Sequence, residues 1–257
     1  MWKSILAATL LIPSFAHAAD QCKFQAPRNE SLNLAGVHTL VIELGQHNLH
    51  LNGGTANSAE VRGRACASSS DRLDTLRLVQ RREGDRLILS TDNDTEGWSI
   101  NLFGWSSYAY LDLQVDVPSN LAVELKVGSG DADVAGIDSL EGRVGSGDLR
   151  ARNINGRFDA SVGSGDIVAK NIGEIHVASL GSGDFTVEGV RGNVEIGSIG
   201  SGDAALSTVG GNVVVDSIGS GDLSVNDVAH DLRVHSVGSG DVSHHRVAGH
   251  VDIPSDD

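Results

Sequence analysis

Gly128-Ser129-Gly130-Asp131 recurs six more times, at Gly145–Asp148, Gly163–Asp166, Gly181–Asp184, Gly200–Asp203, Gly219–Asp222 and Gly238–Asp241. The steps between copies are 17, 18, 18, 19, 19 and 19 residues. A short motif at a near-fixed period marks a solenoid, with one supersecondary unit per repeat. Between copies the apolar residues keep one register. Leu223 and Val225 stand two apart after the Asp, Val228 follows alone, Leu232 and Val234 form a second pair, and Val237 precedes the next glycine. Phe185, Val187, Val190, Val194, Ile196 and Ile199 repeat the pattern. Pairs two apart are strand alternation with one face inward. One repeat therefore reads as one coil of an all-β, single-stranded parallel β-helix, each residue stacked on its counterpart about 4.8 Å away. The handedness of parallel crossovers predicts a right-handed coil. Where a copy has 18 residues, one is dropped in a turn, as between Ile172 and Ile175, and the apolar register survives.

The tetrapeptide itself reads as a corner. Glycine suits a sharp turn or a positive φ, and Asp suits an Asx-type acceptor for nearby backbone N–H groups. Stacked coil on coil, the corners give a column of seven carboxylates: Asp131, Asp148, Asp166, Asp184, Asp203, Asp222 and Asp241. Neighbours about 4.8 Å apart repel by roughly 0.9 kcal/mol even in bulk water. The turn hydrogen bonds offset that cost, or bound cations do. Three uses of the column are open: a structural tie, a calcium ladder, or a row that docks basic peptides. The calcium-binding G-G-x-G-x-D repeat of β-rolls differs from this one. It occurs twice per coil, whereas the opposite half here reads Gly192-Asn193-Val194 or Gly211-Asn212-Val213.

Upstream, residues 1–18 read as a secretory signal peptide. Lys3 precedes the apolar run Ile5–Phe15, and Ala16-His17-Ala18 fits a small-x-small cleavage site. Residues 19–127 read as an irregular β-rich N-terminal cap and first coils, and 128–257 as the repeat helix. Short strands are predicted at Leu40–Leu44, Leu49–Leu51, Tyr108–Val117 and Leu121–Val127, with a hairpin turn at Arg81–Asp85. The two cysteines, Cys22 and Cys66, suggest one disulfide in an oxidising compartment. Trp98, Phe103, Trp105, Tyr108 and Tyr110 crowd one segment. They read either as a binding platform or as an apolar plug for the N-terminal end. At the other end His244 replaces the usual Leu or Val, and His244, His245 and His250 match no zinc spacing. A polar terminal coil that protects an open edge explains them better.

The formal charge is −15, and from Gly128 onward 20 Asp and Glu face 8 Lys and Arg. Such acidity repels phosphates and argues against nucleic acid, while it permits divalent metals or cationic peptides. Enzyme readings find little support. The Gly-Ser-Gly element is neither a nucleophile elbow nor a P-loop. The coils lack the hexad spacing of acyltransferase β-helices, and they are too short for the loops that build a glycosidase cleft.

The GSGD coils, with the valine–proline strand Leu113–Pro118 and the lead-in Leu121–Val127, resemble the bacterial putative-adhesin domains. These include the auto-transporter adhesin head, or GIN, domain and relatives of unknown function. The resemblance implies an exported β-helix and carries no catalytic residues. The expected function is a non-enzymatic envelope scaffold or adhesin-like module, in the periplasm or at the bacterial surface. Its partner would be an envelope protein, a glycan or a cationic peptide, with no membrane span and no cofactor other than calcium. The alternatives are a calcium-binding surface helix and a stress module that captures cationic peptides.

Overall fold

The structure is a computed structural model and describes residues 22–55, 59–91 and 107–254. The chain forms a parallel β-solenoid. Strand Leu149–Val162 shows how one coil is built. Leu149 and Ala151 face inward, the chain turns at Asn153, Ile154 faces inward again, and Phe158, Ala160 and Val162 complete the set. All six are buried. Strands Ile167–Leu180, Phe185–Val190 with Val194–Ile199, Ala204–Val209 with Val213–Ile218, and Leu223–Val228 with Leu232–Val234 repeat the coil.

Pairing is parallel and column by column. Leu149 lies on Ile167, and then come Phe185, Ala204, Leu223 and Val242. Phe158 lies on Ile175, followed by Val194, Val213, Leu232 and Val251. Large and small side chains compensate across coils, as close packing requires. Phe185 stacks on Ala204. Gly142 leaves room where a Cβ would come within 2.8 Å of Leu149 Cδ2 and 3.5 Å of Phe158 Cε2.

The coils differ in length at two places. One lies between the second and third apolar groups, where Ile154 to Phe158 becomes Ile172 to Ile175. The other lies within the last strand, where Ser161 pairs with Ser179 one residue late. The inward register is kept through both.

The N-terminal part departs from sequence order. Strand Thr39–Leu44 pairs with Arg86–Thr91 on one side and Ala122–Val127 on the other. Strand Asn48–Gly54 likewise lies between Ala109–Pro118 and Ala132–Ala135. The coil that comes first in the chain is therefore second in the stack. Pro118-Ser119-Asn120 crosses it, and Ser119 N–H donates to the Gly54 carbonyl at 2.9 Å. The expected hairpin forms between Leu78–Glu83 and Arg86–Thr91, with Gly84 at φ 64°.

Antiparallel strands close the N-terminal edge. Ala59–Ala67 pairs with Ala109–Pro118 and carries Phe24–Pro27 and Glu30–Leu32 on its far side. A parallel stack cannot continue against an antiparallel strand, so this arrangement ends it and hides the edge. One short helix, Ser70–Thr75, packs here, and sequence periodicity does not reveal it. No helix among the described residues is long and apolar enough to cross a membrane.

At the C-terminal end Val242–Val247 and Val251–Asp252 pair, among the described residues, with the preceding coil alone. His244 stands in the column of Val225 and is exposed.

Candidate functional site

Each repeat places three kinds of corner in vertical register. The GSGD corner is the first. Its Asp does not tie its own turn. The backbone N–H of Asp148 donates to Oδ1 of Asp131, one coil back, at 3.1 Å. The same bond joins Asp166 to Asp148, Asp184 to Asp166, Asp203 to Asp184, Asp222 to Asp203 and Asp241 to Asp222, at 2.8 to 3.3 Å. Each carboxylate thus stands in for a carbonyl where the coil bends out of strand geometry and accepts the N–H of the Asp one coil on.

The ladder starts one corner earlier than the motif suggests. Asn48 Oδ1 accepts the N–H of Asp131 at 3.2 Å, across 83 residues. Gly45-Gln46-His47-Asn48 is a degenerate eighth corner that an exact-match reading of GSGD misses.

The glycines serve close stacking rather than positive φ, and none of the GSGD glycines has a positive φ. A Cβ at Gly145 or Gly163 would lie 2.6 Å from the carbonyl oxygen of the glycine one coil below. At the second glycine of each motif the approach is closer still. A Cβ on Gly165 would overlap the Gly147 carbonyl oxygen.

The second corner carries Asn193, Asn212, Asp231 and His250. Asn212 N–H donates to Asn193 Oδ1 at 2.8 Å, Asp231 N–H to Asn212 Oδ1 at 3.1 Å, and His250 N–H to Asp231 Oδ1 at 2.8 Å. It is an amide counterpart of the Asp ladder, and Asp231 supplies the acid that the Gly-Asn copies lack.

The third corner is left-handed. Gly136, Asn153, Asn171, Gly189, Thr208, Asp227 and Arg246 all have φ between 54° and 80°. Each stands five residues after its GSGD Asp, a constant offset visible in the sequence once the corner is known. Only glycine takes this conformation freely, with Asn and Asp next. Five of the seven coils nonetheless keep a side chain there. Those side chains line a groove of about 680 Å³ over Val190, Val209 and Val228. Asn171 Nδ2 donates to Asn153 Oδ1 at 3.1 Å, and Arg246 forms an ion pair with Asp227. That pair holds the Asp227 carboxyl below its usual range, through the Arg246 hydrogen bond above all. Thr208, β-branched at φ 58°, is the most strained member. Thr208→Gly is expected to raise stability by about 1 kcal/mol, read as a higher urea midpoint with an unchanged slope.

The remaining candidates fall at the ends. Tyr108 and Tyr110 sit 6.3 Å apart on the N-terminal edge, with Tyr110 opposite Cys66. Trp98, Phe103 and Trp105 lie outside the described residues. Cys22 and Cys66 form a disulfide, with Cα atoms 5.5 Å apart. His244 and His245 point to opposite faces of the last strand, and His250 belongs to the amide ladder. Among the described residues no group of three or more His, Cys, Asp or Glu is arranged to hold a metal ion.

Stacked coils, repeated side-chain ladders and a grooved corner define the molecule as a parallel β-solenoid that presents long columns of like side chains. The chain belongs to the Toastrack DUF4097 family, whose model matches residues 37–256. No curated protein matches it.

Among solved structures it is similar to a putative adhesin from Bacteroides fragilis, at 12% identity and a TM-score of 0.53, over 90% of this chain and 98% of that one. A putative adhesin from Parabacteroides distasonis shares 12% identity, with a TM-score of 0.49 over 90% of this chain and 97% of that one. A putative lipid binding protein from the same species shares 15%, with a TM-score of 0.45 over 88% and 96%. At these identities the likeness is one of fold.

Proposed function

We propose that the chain is a non-enzymatic, exported binding module of the bacterial cell envelope, adhesin-like in the manner of the auto-transporter adhesin head, and that the left-handed corner is its contact surface. One observation carries the reading. Five coils bear the strain of a side chain in the left-handed region, and those side chains meet in one groove. Strain of this kind persists where function holds it in place. The disulfide suits an oxidising compartment. The groove, with Asn, Thr and an Asp–Arg pair above a valine floor, suits an extended polar chain such as a glycan or an envelope peptide.

Asn171→Gly together with Thr208→Gly separates binding from folding. The double variant is expected to be more stable than the parent and to lose at least about tenfold in affinity for its hit on a glycan array or in an envelope crosslinking screen. Unchanged affinity in the more stable protein refutes the groove as the contact surface.

A second reading concerns the Asp column. Among the described residues only Asp148, near Arg150 at 3.9 Å, has an ion-pair partner, so the column offers charge to a basic peptide or to calcium. Asn48 shows that an amide serves the ladder as well as a carboxylate. Replacing Asp184, Asp203 and Asp222 by Asn should therefore keep the fold and raise stability by roughly 1 kcal/mol at low salt. If the column docks cations, the triple variant loses salt-sensitive binding of oligolysine, or the rise in melting temperature caused by millimolar Ca²⁺. If the parent shows neither response, the carboxylates are purely structural.

A further inference from the structure

From Gly128 onward the chain carries 8 Lys and Arg among 20 Asp and Glu. Seven of those cations stand within 3.9 Å of a carboxylate, from Arg143 beside Glu141 to Arg246 beside Asp227. Arg191 is the exception among the described residues. It is exposed, and it lines the left-handed corner groove with Asn153, Asn171 and Thr208. Every residue of that lining falls within the continuously described stretch 107–254.

The shortened coil sets the place of the guanidinium. The span from Ile154 to Phe158 loses one residue in the next coil, where it runs from Ile172 to Ile175. The Arg191 side chain reaches across that turn. Its Nη2 donates to the Asn155 carbonyl at 2.5 Å and to the Ile154 carbonyl at 3.5 Å, two coils back. These bonds fix the head group at one end of the groove without neutralising it. Among the described residues they use Nη2 alone, so Nε and Nη1 remain for an oxygen from outside. At the other end Arg246 is held by Asp227. The groove therefore keeps one uncompensated positive charge in a chain of net charge −15.

The walls narrow the ligand. Strands Phe185–Val190, Ala204–Val209 and Leu223–Val228 are each paired on both sides. The groove thus has no open strand edge, and an extended peptide cannot gain the main-chain ladder that gives such peptides their affinity. What it offers instead are the Asn153 and Asn171 amides, the Thr208 hydroxyl, and a floor of Val190, Val209 and Val228. Amides and hydroxyls that both donate and accept match vicinal sugar hydroxyls, and the valines match the face of a sugar ring. An arginine fork takes a carboxylate in two-point geometry.

We propose that the groove binds an acidic polysaccharide, with a uronate carboxylate on Arg191 and sugar hydroxyls on the Asn153–Asn171 pair. The inference rests on the corner groove as the contact surface and names its ligand. Titration calorimetry tests it at about 0.15 M salt, where screening limits repulsion from the chain's other carboxylates to about 8 Å. The probes are an oligogalacturonate, the same oligomer methyl-esterified, and oligoglutamate. The uronate is expected to bind saturably, at least about tenfold more tightly than its ester or the peptide. Arg191→Gln should erase the preference for acid over ester. Arg191→Lys should keep part of it, because the charge stays and the fork goes. An Arg191 that only ties the coils would, when replaced by Gln, lower affinity for both oligomers alike, and that outcome overturns the proposal. So does a uronate preference that Arg191→Gln leaves unchanged, tighter binding of oligoglutamate, or no saturable uronate binding into the millimolar range. Equal affinity for acid and ester, both lost in Asn171→Gly with Thr208→Gly, overturns the acidic ligand and keeps the groove.

Discussion

Gly165→Ala is expected to destabilise the protein by at least about 3 kcal/mol, among the largest effects of any single substitution at the corners of this solenoid. The reason is the backbone below it. A methyl group at Gly165 would overlap the Gly147 carbonyl oxygen, and a carbonyl cannot swing aside as a side chain can. The two coils must part at that corner. Parting them lengthens the bonds from Ser164 N–H to the Gly145 carbonyl and from Asp166 N–H to Asp148 Oδ1, now 2.7 and 3.3 Å. Gly54→Ala is the control, because a Cβ there meets nothing within 4 Å. It should fall within about 0.5 kcal/mol of the parent. Urea denaturation of both variants measures the difference. A loss below about 1 kcal/mol for Gly165→Ala would mean that the corners are not in backbone contact.

Loss of the disulfide should cost a similar amount. Cys22 and Cys66 are 44 residues apart, and closing a loop of that length stabilises by about 3–4 kcal/mol in the chain-entropy model. The position adds a local effect. Cys66 lies in Ala59–Ala67, the antiparallel strand that covers the first parallel coil, and Cys22 precedes Phe24–Pro27, which pairs with its outer edge. Cys22→Ser with Cys66→Ser should therefore lower the melting temperature and release amide protection in Phe24–Pro27 before any repeat opens. A double variant that melts with the parent, with and without reductant, would remove the bond from the account of stability.

The repeats were legible because their chemistry recurs at each turn. Six apolar columns and a tetrapeptide leave few other ways to bury Val187, Val190 and Val194 on one side. The corner glycines were legible as corners but not in their cause. Close approach between coils and positive φ both call for glycine, and only the stacking of Gly147 on Gly130 tells them apart. The left-handed corner escaped notice because its residue type varies from Gly136 to Arg246 while its offset does not. The coil Thr39–Gly54 was seen as strands, but its place was hidden. The partner of Asn48 is Asp131, and no local pattern records a bond across 83 residues.

The displaced coil also sets a timetable for assembly. Residues 39–54 pair with 86–90 and 112–118 on one side and with 122–127 and 132–135 on the other. During synthesis or export this segment emerges early and must wait, with its apolar face open, until some eighty further residues have followed it. Everything after Gly145 can be added as it arrives, each turn resting on one already in place. The slow, search-limited step belongs to the N-terminal clasp. Growth from Gly145 on is a zipper, and a nascent chain cut short within it would leave a shorter but complete stack.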